Sequence, residues 1–384
     1  MTFEFATATR IVFGAGALRE AGPAARAFGR RAFVVTGRQS DRAAPLLETL
    51  EAAGVAATVY ALTGEPTTGA IAAATAQARA AGCELVVGCG GGSALDAAKA
   101  VSALLTNPGN LLDYLEVVGR AQPLIRAAAP CVAIPTTAGT GAEVTRNAVL
   151  LSPAHRVKVS LRSPLMLPRL ALVDPELTLG LPPALTASTG LDALTQLIEP
   201  YVSCRANPLA DGICVEGLRR AARGLRAAFH HGGDAAARED MALASLFGGL
   251  ALANAGLGAV HGFAAPIGGT FAAPHGAVCA ALLAPVMEAN LAAARARQPG
   301  GGTLRRYTEI ARLLTQDPDA DADAGVRWVR TLVAELRIPP LGTYGIAATD
   351  VDSIVGQAAK ASSMKANPLP LTAAELAGAL RQAL

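Results

Sequence analysis

Apolar and polar residues follow two different rhythms along this chain. In the first half, short apolar runs at residues 31–36, 57–62, 84–88 and 131–135 read as buried strands. Between them, residues 41–53, 71–81 and 93–105 carry amphipathic helical spacing. Short apolar strands alternating with helices predict βαβ units and a parallel sheet covered on both faces. Residues 11–13 add a further short strand before Gly14-Ala-Gly16. From about Leu185 the strand rhythm stops. Residues 187–202, 208–229, 235–253, 278–294, 304–314, 324–336, 350–361 and 373–384 all read as helices. The Leu181-Pro-Pro183 punctuation marks the change. The expected organisation is an α/β nucleotide-binding domain over 1–183 and an all-helical domain over 184–384.

Composition narrows the function classes. With 52% hydrophobic and 16% charged residues, the chain has the makings of a large core and not of a disordered segment. A net charge of +3 and an aromatic content of 4% argue against nucleic acid as a partner. Six scattered Cys without a CxxC pair suggest a reducing compartment, and no secretory signal opens the chain, so a cytoplasmic location is expected. The 47 residues between Asp240 and Glu288 contain no Asp, Glu, Lys or Arg. Gly and Pro interrupt them every few residues, whereas a spanning helix needs about 20 predominantly apolar residues in one run. They read as helices buried in a globular domain and not as a membrane segment.

Against this background a few residues carry chemistry. Gly90-Gly91-Gly92-Ser93 follows a strand and opens a helix bearing Asp96 and Lys99. Glycines let backbone approach a phosphate, and the helix start presents unpaired N–H groups. The run suits an ordinary strand-to-helix turn equally well, and it is not a GxGxxG fingerprint. Pro135 to Thr145 (PTTAGTGAEVT) follows another strand, at the carboxyl end where open α/β sheets bind ligands. Two such loops, with Lys158 close behind, favour a nucleotide site. In the helical half, Asp192 and Gln196 share one helix face, and His261 and His275 lie in the uncharged stretch. Asp and His are ligand types for a divalent transition metal, although each His also suits a satisfied core position and Asp192 a helix cap.

Read together, these segments resemble the iron-containing (group III) alcohol dehydrogenase family. The likeness runs from Phe13-Gly-Ala-Gly16 through GGGSALDAAK, PTTAGTGAEVT, Lys158, Val173-Asp-Pro-Glu-Leu177, Asp192-Ala-Leu-Thr-Gln196 and His261…Pro274-His-Gly276 to Asn367-Pro368. It covers nearly the whole chain in order. It implies a dehydroquinate synthase-like fold and an NAD(P)-dependent enzyme that interconverts a small alcohol and its aldehyde or ketone. A homodimer and one divalent metal, Fe²⁺ or Zn²⁺, in a cleft between the domains are also implied. Carried over by position, Gly91, Gly92 and Ser93 contact the pyrophosphate, and Asp96 belongs to the same motif. Thr136, Thr137, Thr140 and Thr145 form the second cofactor loop, and Lys158 reaches the ribose side. Asp192, His261 and His275 fall on three of four metal positions and are the candidate catalytic residues.

Three departures bear on this resemblance. The family's DALxH ends here in Gln196, which offers a weaker amide oxygen as the fourth ligand. A non-ligand His expected beside the nicotinamide is Ala265, so no imidazole can shuttle a proton there. After strand 31–36 the acidic residue that repels a 2′-phosphate is replaced by Gly37-Arg38, so NADP(H) should serve at least as readily as NAD(H). Two other readings stay open. One is a metal-independent carbonyl reductase resembling the maleylacetate reductases, whose corresponding Thr/Gly loop differs. The other is a nucleotide-binding protein that has lost catalysis. A lyase of the dehydroquinate synthase type would require more basic and polar residues than the helical half supplies.

Overall fold

The structure, a computed structural model, describes residues 2–384. The chain divides into two compact units, one formed by Thr7–Thr137 with Gly141–Thr178 and the other by residues 2–6, Ala138–Thr140 and Leu179–Leu384. Residues 2–6 join the helical unit because Asn254 bonds both backbone groups of Ala6.

The first unit runs β1 (Ile11–Phe13), α1 (Ala21–Arg26), β2 (Arg31–Thr36), α2 (Ala44–Ala52), β3 (Ala56–Ala61), α3 (Thr68–Ala80), β4 (Leu85–Gly90), α4 (Gly92–Thr106), α5 (Leu111–Tyr114) and β5 (Cys131–Pro135). It closes with β6 (Asn147–Ser152), β7 (Val157–Arg162) and β8 (Leu170–Val173). Six strands form a parallel sheet in the order β1-β8-β5-β4-β2-β3. Strands buried on both faces need apolar residues at every position, and Phe33, Val34, Val35, Leu85, Val86 and Val87 meet that requirement. Their side chains alternate between two layers. Phe33, Val35 and Val86 pack with Ile71 and Val101, while Val34, Leu85 and Val87 pack with Leu46 and Leu50.

The spans of β1, β2 and β5 coincide with the sequence expectation, and those of β3 and β4 lie within two residues of it. Three strands were not anticipated. In the antiparallel hairpin β6–β7, Lys158, Ser160 and Arg162 alternate with apolar residues along β7, and Asn147 and Ser152 bound the short apolar run of β6. Strand β8 has four residues, too few to show a period.

The second unit contains α6 (Pro183–Val202), α7 (Pro208–His230), α8 (Ala235–Ala255), α9 (Ala259–Thr270), α10 (His275–Arg297), α11 (Gly302–Thr315), α12 (Ala322–Glu335), α13 (Val351–Ala358) and α14 (Ala373–Ala383). Asn207, Asp234, Asp321 and Thr372 cap α7, α8, α12 and α14, each accepting a bond from the third backbone N–H of its helix. Helix α6 is central. Leu191, Leu194, Leu197 and Ile198 form one buried apolar face among Leu218, Leu225, Val278 and Leu283, while Asp192, Gln196 and Glu199 are buried on another. Helix α10 is long and apolar enough to cross a membrane, yet 78% of its most apolar window is buried in this unit. Helix α9 was missed in the sequence because Pro266, Gly262, Gly268 and Gly269 break the helical pattern.

Candidate active site

In the first unit the order of the strands reverses between β2 and β4. The chain passes from β2 outward to β3, then returns to pair β4 on the opposite edge of β2. Ligands of open α/β sheets bind at such a switch point, outside the carboxyl ends of the strands. Gly37 and Arg38 leave β2 there, and Gly91, Gly92 and Ser93 leave β4. A surface hollow is lined by Gly37, Arg38, Thr63, Gly91 and Ser93. The two loops can approach because Gly90 has no side chain. A Cβ at Gly90 would lie 2.7 Å from the Ala94 Cβ and 3.4 Å from the Gly37 nitrogen.

The other candidates for this site are distributed more unevenly. Thr136 N–H donates to the Gly90 carbonyl, and Thr137 Oγ1 lies 3.3 Å from where a Gly91 Cβ would be. Thr140 falls in the helical unit, beside Gly139, which packs against Thr189. Asp96 and Thr145 are engaged internally. Asp96 pairs with Lys99 at 2.9 Å and accepts the Val149 N–H, while Thr145 accepts from Lys99 and donates to the Ala142 carbonyl. Lys158 pairs with Glu65 at 3.0 Å.

In the helical unit, five polar side chains from three helices converge. Asp192 and Gln196 stand one turn apart on α6, and Gln196 Nε2 donates to Asp192 Oδ2 at 3.1 Å. His261 comes from the first turn of α9, His275 opens α10, and Cys279 follows one turn later. His261 Nε2 lies 3.4 Å and His275 Nε2 3.6 Å from Asp192 Oδ1. The Cys279 sulfur lies 3.7 Å from both imidazole nitrogens. One ligand atom from each of Asp192, His261, His275 and Cys279 lies within 4.8 Å of the other three.

Glu199, on the same helix as Asp192, fixes the ring of His261. Its Oε2 lies 2.6 Å from His261 Nδ1, while its Oε1 accepts the Val260 N–H. A carboxylate on one ring nitrogen sets the tautomer and turns the other nitrogen toward a ligand. Burial alone would raise the Asp192 pKa, but His275, His261 and Gln196 outweigh it and hold the carboxyl at about 2. Burial opposes charge on the two imidazoles, yet both sit above their ordinary value. Cys279 and Glu199 outweigh burial at His261, and Cys279 and Asp192 do so at His275.

Asp192 Oδ1 and Gln196 Oε1 are buried without a hydrogen-bond partner. Buried polar atoms are nearly always satisfied, and an unpaired one commonly marks an absent ion or water. Two orphaned oxygens beside two inward-facing imidazole nitrogens fit a divalent cation. Three of the four expected metal positions are therefore brought together, with Gln196 alongside. Ala265, one turn beyond His261 on α9, offers no proton-transfer group. Cys279 was not anticipated, since a Cys in an Ala-rich helix reads as a small buried residue. Its only signal was the spacing of four from His275.

Residues 8–175 match the family model for iron-containing alcohol dehydrogenase, and residues 186–384 match the C-terminal model of the same family. A probable alcohol dehydrogenase, EutG, of Salmonella typhimurium is 39% identical over 328 residues, covering 84% of this chain and 80% of the relative. The crystal structure of a 1,3-propanediol oxidoreductase superposes with a TM-score of 0.92 at 32% identity, covering all of both chains. A sulfoacetaldehyde reductase from Bifidobacterium kashiwanohense, in complex with NAD⁺, gives 0.88 at 27% identity, covering 100% of this chain and 99% of the other.

Proposed function

Because the chain belongs to the iron-containing alcohol dehydrogenase family, we propose that it transfers hydride between a nicotinamide dinucleotide and a small alcohol–aldehyde pair, with a divalent metal held in the helical unit. Asp192, His261 and His275 are the ligands of that metal, and Gln196 stands beside them with a free amide oxygen. A divalent ion in this position supplies Lewis acidity toward the substrate oxygen. Glu199 holds His261 in the tautomer that leaves Nε2 free to bind. Ala265 leaves the usual imidazole relay absent, so a proton leaves through water or the cofactor ribose.

Gly91, Gly92 and Ser93 receive the pyrophosphate at the start of α4. Gly91 offers no side-chain cap there, so the helix's first N–H groups are available to an anion. Thr136 and Thr137 border the same loop. Gly37 and Arg38 take the adenosine ribose end, where Arg38 favours a 2′-phosphate and the enzyme uses NADP(H) at least as well as NAD(H). The internal bonds of Asp96 and Thr145 make them supports of this site. Six scattered Cys without a CxxC pair suit a reducing, cytoplasmic setting.

The observation that carries the reading is the orphaned Asp192 oxygen facing two imidazole nitrogens. Elemental analysis of the purified protein, alongside Asp192→Ala, tests it. One divalent ion per chain should be present, and the variant should lose both the ion and at least about a hundredfold in kcat/KM. Full aldehyde reduction without metal, undiminished in the variant, would instead identify a metal-independent reductase.

A further inference from the structure

We infer that the fourth protein ligand of this metal is the thiolate of Cys279, which makes the site an Asp/His/His/Cys set that favours zinc over iron. The inference rests on the metal reading above and goes beyond it in the donor set and in the ion it selects.

The argument begins with position. Cys279 lies one turn after His275 on α10, so both side chains leave the same face of the helix. Its side chain is fully buried, and its sulfur is equidistant, at 3.7 Å, from the two inward nitrogens. A tetrahedral ion with bonds of about 2.0–2.1 Å to nitrogen or oxygen and about 2.3 Å to sulfur has edges near 3.4 Å for N–O and about 3.6 Å for N–S. The Asp192–His261 and Asp192–His275 separations are 3.4 Å and 3.6 Å. The two Cys279–His separations, at 3.7 Å, complete four edges of that tetrahedron without any side chain having to move far.

Gln196 is the competing donor, and its geometry assigns it a different task. Its amide nitrogen is spent on Asp192 Oδ2, which holds the carboxylate with Oδ1 toward the imidazoles. Its remaining oxygen is neutral and binds a transition metal less strongly than a thiolate does. Gln196 thus acts on Asp192 as a positioning residue, while Cys279 supplies the donor that an imidazole at position 196 would have given. Soft thiolate ligation shifts selectivity toward zinc and away from ions that prefer oxygen and nitrogen alone.

Cobalt(II) is the probe, since a cobalt–thiolate bond gives a sulfur-to-metal charge-transfer band in the near ultraviolet. Full-length protein stripped of metal and titrated with cobalt should bind one ion and develop this band. Cys279→Ser should still bind cobalt but lose the band, whereas Gln196→Leu should keep it. Zinc affinity should fall at least about tenfold in Cys279→Ser. Stoichiometric cobalt binding without the band in the unaltered protein would overturn the inference and leave the metal reading standing. So would a band that survives in Cys279→Ser. Protein that takes up neither cobalt nor zinc would overturn both. The spectrum of the unaltered protein decides the matter even if a variant does not fold.

Discussion

Lys99 is buried, and its ammonium has three donors and three acceptors: the Thr145 hydroxyl, the Asn147 carbonyl and the Asp96 carboxylate. It is one of four Lys in the chain and lies in the glycine-loop motif, beside the candidate phosphate contacts. With every N–H used, it ties α4 to β6 and the Thr loop instead. Removing it leaves Thr145 and the Asn147 carbonyl without their buried donor and the half-buried Asp96 without its cation. Lys99→Met should therefore destabilise the protein by about 3–5 kcal/mol in denaturant unfolding. Glu143, in the same loop, is buried with an unpartnered Oε1. Burial pushes its carboxyl up to about 7, with its own backbone N–H and Lys99 pulling only partly back. A carboxyl that protonates more easily when folded adds stability below its ordinary value, and this stability is lost as pH rises through 7. Glu143→Gln should narrow the stability difference between pH 5 and pH 8 by about 2 kcal/mol. A difference that is unchanged would show Glu143 to be ionised throughout. Neither role was legible in the sequence, because residue type does not reveal which atoms lie opposite.

Helix α9 shows how an element can form against its own propensities. Two side chains from elsewhere in the unit satisfy its first donors. Asn367 Oδ1 accepts the Ala259 N–H, and Glu199 Oε1 accepts the Val260 N–H. They reach the backbone because Gly258 leaves room. A Cβ there would lie 2.8 Å from Glu199 Oε1 and 2.9 Å from Asn367 Oδ1. Gly258→Ala should cost about 1–3 kcal/mol and lower metal occupancy, since the carboxylate it displaces also orients His261. Thermal melts paired with metal analysis would check both effects. At the sheet, the β2 and β4 loops meet at the switch point, and Arg38 is the cation among the lining residues of the hollow. Arg38→Ala should raise the KM for NADPH at least about tenfold while leaving that for NADH within about twofold. Equal changes with both cofactors would assign Arg38 to the pyrophosphate or to the fold.

For the molecule as a whole, the two units divide the work by chemistry. The parallel sheet offers backbone at strand ends, and the helical unit gathers an aspartate, two imidazoles and a thiol around one point. The uncharged stretch from 241 to 287 supplies most of α8, all of α9 and the first half of α10. Its apolar content is what makes two imidazoles stand out there. Ligands that bind only the folded state should stabilise it by mass action. Zinc at a hundred times its dissociation constant should add about 2.7 kcal/mol, and Asp192→Ala should abolish the gain. Light scattering should give twice the 38.7 kDa chain mass, as expected for a homodimer.

The sequence alone determined the class of fold, because helix and strand periods are local properties of successive side chains. It also singled out Asp192, His261 and His275 as candidates, through residue types open to other readings and through the resemblance that placed them together. Gly37, Arg38 and the glycine loop were legible for a similar reason, as each stands where a strand ends. Only the tertiary structure decided which polar atoms share a point. It brought Cys279 up to both imidazoles, gave Glu199 to His261, and turned Lys99 inward. Apart from Cys279–His275, four positions apart, those contacts join residues 18 to 62 positions apart. They depend on how helices cross and strands pair, which no local pattern encodes.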